Sequence, residues 1–249
     1  MMKIYQALGL PQKGVISLVG GGGKTTLMYR LADEIPAHYK VLITTTTKIF
    51  LPPAQHPLVL LDNGRMPEGF LYPKAGKIAR PVVGSGLMEN NKLQGVSQEQ
   101  VEYLQSIADI LLIEADGSKG LPLKGHLDFE PVVSRATTQL IIVIGADIFG
   151  KPLIDRYVHR PDIVAGLTGR QLGSIIDAEL IQGLINHPGG ILRNCPPTAT
   201  VTAFINKADL MEKLDEGLRL GRLLLGEKIR KVIIGSARSD NPVLTIMSA

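Results

Sequence analysis

Four consecutive glycines and a Lys-Thr-Thr, Gly20-Gly21-Gly22-Gly23-Lys24-Thr25-Thr26, stand directly after the apolar run Gly14-Val15-Ile16-Ser17-Leu18-Val19. No other feature restricts the fold as much. Bound phosphate approaches backbone N–H groups closely only where side chains are absent and φ > 0 is tolerated, so a buried strand ends where the glycines begin. A helix from Thr25 to about Glu34 then points its positive N-terminal end at the same anion. Lys24 supplies a charge for the β and γ phosphates, and the Thr25 hydroxyl a ligand for Mg²⁺. The run departs from G-x-x-x-x-G-K-S/T in having Leu18 five positions before Gly23, while the spacing around Lys24 is kept. The expectation is a Mg²⁺-bound nucleoside triphosphate on Gly20 to Thr26; a flexible glycine turn beside an exposed lysine is the plain alternative.

Short apolar runs recur at 14–20, 40–46, 58–61, 81–85, 109–114, 139–145, 200–206 and 230–235, with helical or turn-rich segments between them. Leu140-Ile141-Ile142-Val143-Ile144 has no alternating polarity, as expected of a strand covered on both faces. The pattern predicts an α/β fold of the P-loop NTPase kind, a largely parallel sheet flanked by helices on both faces. Helices are expected at 25–34, at 97–107 with Ser97 and Gln100 as a capping box, at 171–186 and at 208–226. One domain, 1–249, is expected, with an irregular β-rich excursion at about 51–95 that holds Pro52, Pro53, Pro57, Pro67, Pro73, Gly76 and Pro81.

Composition narrows the partners. A net charge of only +4 with 4% aromatic residues gives no interleaved basic and aromatic stripe, so nucleic acid is not expected. No apolar run approaches the roughly 18 residues of a membrane span, and Met1-Met2-Lys3-Ile4-Tyr5-Gln6 leads into no signal-peptide core. The single cysteine, Cys195, excludes an internal disulfide and a cysteine-cluster metal site, and a cytoplasmic location is expected.

Three more constellations fall at predicted strand ends. Ile110-Leu111-Leu112-Ile113-Glu114-Ala115-Asp116-Gly117 ends in two carboxylates one residue apart and a glycine. Mg²⁺ takes oxygen ligands and keeps several waters, so one carboxylate suffices; Glu114 is assigned to the metal's water shell, and Asp116 to a switch or as the competing ligand. In the spacing D/E-x-x-G, the Gly117 N–H reaches a γ phosphate. Asn206-Lys207-Ala208-Asp209 matches N-K-x-D, in which Asp209 accepts from N1–H and N2–H₂ of guanine, Asn206 braces the loop and the Lys207 stem lies over the base; an Asn-Lys-Ala-Asp helix cap reads the same way. Ser236-Ala237-Arg238 resembles the S-A-K/R element whose backbone meets guanine O6. The order of these motifs favours GTP over ATP. Lys24, Glu114 and Asp116 are the catalytic candidates, and Thr25, Glu114 and Asp116 the metal ligands.

The stretch Thr44-Thr45-Thr46-Thr47-Lys48 offers hydroxyls for Mg²⁺ or phosphate but no general base near neutral pH. Hydrolysis is therefore expected to be slow, partner-dependent or absent. Lys119, Lys124, His159 and Arg160 lie near strand ends, either as sites for an anionic ligand or as surface charges.

Val19 to Met28, Thr44 to Lys48, Glu114-Ala115-Asp116-Gly117-Ser118-Lys119-Gly120-Leu121-Pro122-Leu123-Lys124 and Val158-His159-Arg160-Pro161 together resemble the YqeC family of selenium-dependent molybdenum hydroxylase accessory proteins. The resemblance spans nearly the whole chain; Gly125-His126 stands where the family has alanine-proline, leaving His126 open. It implies a cytoplasmic P-loop protein linked to hydroxylase maturation, with a molybdenum hydroxylase or its maturation factors as partners and a homodimer as a possible assembly. The motifs alone fit two rivals, an ATP-dependent ligase or small-molecule kinase, and a nucleotide-stabilised scaffold that does not turn over.

Overall fold

The computed structural model describes residues 1–70, 80–211 and 214–249; Pro73 and Gly76 of the expected excursion lie outside them. The strands among the described residues are β1 (Gly14–Gly20), β2 (Val41–Thr45), β3 (Lys48–Phe50), β4 (Leu58–Leu60), β5 (Val82–Gly84), β6 (Gly86–Met88), β7 (Lys92–Gln94), β8 (Ile110–Glu114), β9 (Leu123–Lys124), β10 (Gln139–Gly145), β11 (Val158–His159), β12 (Thr200–Asn206), β13 (Ile229–Gly235) and β14 (Val243–Ser248). The α-helices are α1 (Ile4–Leu8), α2 (Lys24–Glu34), α3 (Gln98–Ile107), α4 (Pro161–Thr168), α5 (Ala178–Asn186) and α6 (Asp215–Leu224).

Nine strands form one sheet in the order β14-β13-β12-β10-β1-β8-β2-β5-β4. Its neighbours are parallel except β14, which pairs antiparallel with β13. All eight apolar runs become strands of this sheet. Their uniform hydrophobicity has a direct cause. Ile16 and Leu18 pack with Leu27 and Leu31 of α2, whereas Val15 packs with Val101 and Leu104 of α3. Likewise Leu140, Ile142 and Ile144 meet Leu180, Ile181 and Leu184 of α5 on the face opposite Ile141 and Val143. Each face of the parallel strands is therefore core, and both residue parities must be apolar.

Besides the unforeseen α1 and β14, three helical segments differ from expectation. The helix predicted at 171–186 begins at Ala178, because the Asp177 carboxylate accepts the Leu180 N–H as an N-cap, while residues before it fold back so that Gly173 N–H donates to Leu153 O. α4 was not foreseen; Pro161 opens it at the first helical position, where a missing N–H costs nothing. The helix expected at 208–226 is a 3₁₀ turn, Ala208–Leu210, and then α6. Of the 51–95 stretch, β4 and β5 extend the main sheet, and β6 and β7 join β3 in a small antiparallel sheet.

The strand order places β1 between β8 and β10, so the chain leaves β1 toward β2, returns through β8 and then crosses to the other side. Such a reversal opens a crevice at the carboxyl end of β1. At the far end of α2, the buried Arg80 guanidinium donates to the carbonyls of Ala32 (2.9 Å), Ile35 (2.6 Å), Pro36 (3.1 Å) and Tyr39 (2.7 Å). It satisfies carbonyls that the helix end leaves without partners. Among the described residues no helix is long and apolar enough to cross a membrane.

Candidate functional site

Gly20 ends β1, Gly23 is the N-cap of α2 and Lys24 is its first residue. The close packing of this loop explains its glycines as much as any ligand does. Gly22 lies at φ +79, and a Cβ there would sit 2.1 Å from Gly145 N. The N–H groups of Gly20, Gly21 and Gly22 donate inside the protein, to Asp116 Oδ2 (3.0 Å), Val143 O (2.9 Å) and Leu121 O (2.9 Å). That leaves Gly23 and the first turn of α2, Lys24, Thr25 and Thr26, as the N–H groups facing out of the helix end. The cradle for an anion is narrower than four glycines suggest.

Lys24 is not an exposed loop lysine. It is buried, with its ammonium 2.7 Å from Gly20 O and 3.0 Å from Asp116 Oδ1. Asp116 is a hub with no exposure: besides Gly20 N and Lys24, its Oδ2 accepts from His126 Nε2 at 2.5 Å and lies 3.7 Å from Lys124 Nζ. Burial alone would push the Asp116 carboxyl up; Lys24, the His126 hydrogen bond and Lys124 outweigh it and hold the group well below the usual carboxylate range. Glu114 has a different environment. Burial pushes its carboxyl up, against Lys24 and the Thr25 hydroxyl, which donates to Glu114 Oε2 at 2.6 Å. An under-compensated carboxylate touching a hydroxyl at a helix N-terminus is a donor set suited to a hard divalent cation completed by water and phosphate oxygens. Thr25 and Glu114 fit Mg²⁺; Asp116, ringed by cations, does not share that fit.

Lys124, expected as an anion ligand or a surface charge, is fully buried and donates to Gly117 O (2.7 Å) and Glu130 Oε2 (3.1 Å). Glu130 Oε2 also accepts from Arg160 Nη1 at 2.5 Å and from Leu127 N at 3.2 Å. Both basic groups are thus engaged. Glu130 had no signal in the sequence: it belongs to no motif and lies beyond a turn from β9. His126, left open by the family comparison, is buried against Asp116 with no hydrogen bond to its Nδ1.

On the other flank, Asn206 joins two loops. Its Nδ2 donates to Gly22 O (2.8 Å), and its Oδ1 accepts from Ala237 N (2.9 Å). Lys207, at φ +63, pairs with Asp147 Oδ2 at 2.8 Å, a second residue the sequence did not flag. Gly23, Thr25, Thr26, Gly120, Asn206, Lys207, Asp209, Ser236 and Arg238 line one cleft of about 430 Å³. Asp209 is exposed on this wall.

The threonines at the end of β2 and just after it bind the fold. Thr44, Thr45 and Thr46 donate to the carbonyls of Val83 (2.7 Å), Glu114 (2.7 Å) and Val132 (2.6 Å). Their hydroxyls are not offered to phosphate in this arrangement, and no carboxylate stands in their place.

Residues 16–162 match the model of the YqeC protein family. Over 197 residues the chain is 34% identical to a protein of Escherichia coli (strain K12) described as "Uncharacterized protein YqeC", an alignment covering 78% of this chain and 75% of that one.

Proposed function

The chain belongs to the YqeC family, and we propose that it binds a Mg²⁺–nucleoside triphosphate, GTP in preference to ATP, as an accessory protein in the maturation of a selenium-dependent molybdenum hydroxylase. The observation that supports the nucleotide reading is Asn206, which ties the glycine loop to the Ser236-Ala237 turn where Gly23, Thr25, Thr26, Asp209, Ser236 and Arg238 line one cleft.

In this reading the α2 N-terminus and Lys24 hold the β and γ phosphates, and Thr25 and Glu114 orient the ion. The bound ion would neutralise phosphate charge. Asp209 accepts from the guanine edge, which adenine cannot satisfy. To reach phosphate, the Lys24 ammonium leaves Asp116, whose charge then rests on His126 and Lys124; loop 116–126 thereby senses nucleotide and changes its affinity for a partner carrying a cofactor component. The committed threonine hydroxyls and the missing carboxylate after β2 favour, as a second reading, a scaffold that binds without turnover. Calorimetric titration of GTP and ATP with Mg²⁺, followed by phosphate release with and without a hydroxylase, tests both. Tight GTP binding is expected; no binding of either nucleotide defeats the proposal, and binding with no release even with the partner selects the scaffold.

A further inference from the structure

β9 and β11 pair in parallel with Leu123 opposite Val158 and Lys124 opposite His159. Residues opposite one another in such a pair share a face. Leu123 and Val158 are both buried in the apolar core beside α5, so Lys124 and His159 belong to the other face. Lys124 reaches from there to Gly117 O, which places the half-buried His159 beside the loop that follows β8.

That loop presents open ground. A Cβ built on Gly117 or on Gly120 meets no heavy atom within 4 Å, and Gly120 is among the residues lining the proposed nucleotide cleft. Between them Lys119 sits at φ +53, exposed and without an ion-pair partner among the described residues. The other cations nearby are matched: Lys124 and Arg160 meet Glu130, and Lys24 meets Asp116. Lys119 is the positive charge left over. The imidazole of His159 adds no charge that would repel a further cation or need an anion of its own; burial first, then Arg160, Lys124 and Lys119, push it down to about 4. At neutral pH it offers one N–H donor in a cationic field.

We propose that Lys119, His159 and the open Gly117 backbone form a second anion subsite beside the nucleotide cleft, which takes the phosphate or similar tetrahedral oxyanion of a small co-substrate separate from the nucleotide. The subsite rests on the proposed nucleotide reading only for the word co-substrate; its anion affinity is a property of the protein alone. Lysine and a neutral imidazole donor beside an uncrowded glycine backbone suit phosphate capture.

The test is an NMR titration of inorganic phosphate followed at the His159 ring, on free protein and on protein saturated with Mg²⁺ and a non-hydrolysable GTP analogue. A saturable shift in both states is expected. Lys119→Ala should weaken it about tenfold, the loss of one hydrogen bond to a charged group, with nucleotide affinity unchanged; in His159→Gln, phosphorus relaxation should report the same weakening. A shift that survives in Lys119→Ala and disappears in Lys24→Met would put the anion in the glycine loop and overturn the proposal. So would exclusion of phosphate by the bound analogue, which would make this the γ-phosphate position, and so would the absence of any saturable shift. If the analogue itself does not bind, the nucleotide reading fails while the free-protein titration still decides the subsite.

Discussion

The two flanks of the glycine loop are held by different forces. Toward β12 and β13 the brace is neutral: the Asn206 amide reaches Gly22 O and Ala237 N, and the cleft beside it is open. Toward β8 and β9 it is ionic, with Lys24, Asp116, Lys124, His126 and Glu130 all buried. A neutral brace is indifferent to an arriving polyanion, whereas a set of balanced buried charges must redistribute when one of its members turns to phosphate. In the proposed reading the first flank would define where a base sits, and the second would register that a phosphate has come.

Lys24 offers the sharpest break between them. Lys24→Met should abolish triphosphate binding and also cost about 3 kcal/mol of stability, because it removes one of the cations that balance the buried Asp116 and leaves His126 and Lys124 to hold it. Adding Asp116→Asn should return much of the stability and none of the binding, as read by denaturant midpoints and calorimetry; a single variant as stable as the parent would mean the ionic flank is not coupled as drawn. Asn206→Ala comes next. It leaves Ala237 N–H and Gly22 O without partners, for a loss of about 1–3 kcal/mol, and it should weaken GTP and ATP alike. Equal stability losses in Asn206→Ala and Lys24→Met would erase the contrast.

Asp209→Asn should leave stability within about 0.5 kcal/mol, since the side chain is exposed. Its effect belongs to selectivity: GTP affinity falls by about 2 kcal/mol while ATP affinity holds, because the amide offers one acceptor where guanine needs two. An equal small change for both nucleotides would remove guanine from the reading. The smallest effect concerns pH. His159 titrates near 6.5 when unfolded and about 4 when folded, so the neutral form favours the fold fully above 6.5, and that support fades as pH falls toward 4. His159→Gln should lose less thermal stability than the parent between pH 7 and 4.5. Solvent screening at this half-exposed site keeps the difference below about 1 kcal/mol; identical melting curves would show that the cationic field around His159 is absent.

The neutral flank was legible in the sequence because its chemistry is local. Asn206-Lys207-Ala208-Asp209 and Ser236-Ala237 are short words at strand ends, and strand ends could be read from uniform apolar runs. The ionic flank was not, since Glu130 meets Lys124 and Arg160 through a turn and a crossover that no spacing encodes. Lys124 illustrates the cost of reading residue types singly: a lysine is ordinarily exposed, and only its partners make full burial tolerable. In the fold, β14 escaped because its exposure alternates along an edge strand, and α4 because its eight residues carry too few turns to show a period.

Arg80 fixes how motion can leave the site. With its far end riveted through four carbonyls and its near end seated beside Asn206, α2 is a rail and not a piston. In the proposed reading, displacement would leave this held helix through the loop after β8, where a Cβ at Gly117 or Gly120 meets no heavy atom within 4 Å, and a partner would read it there.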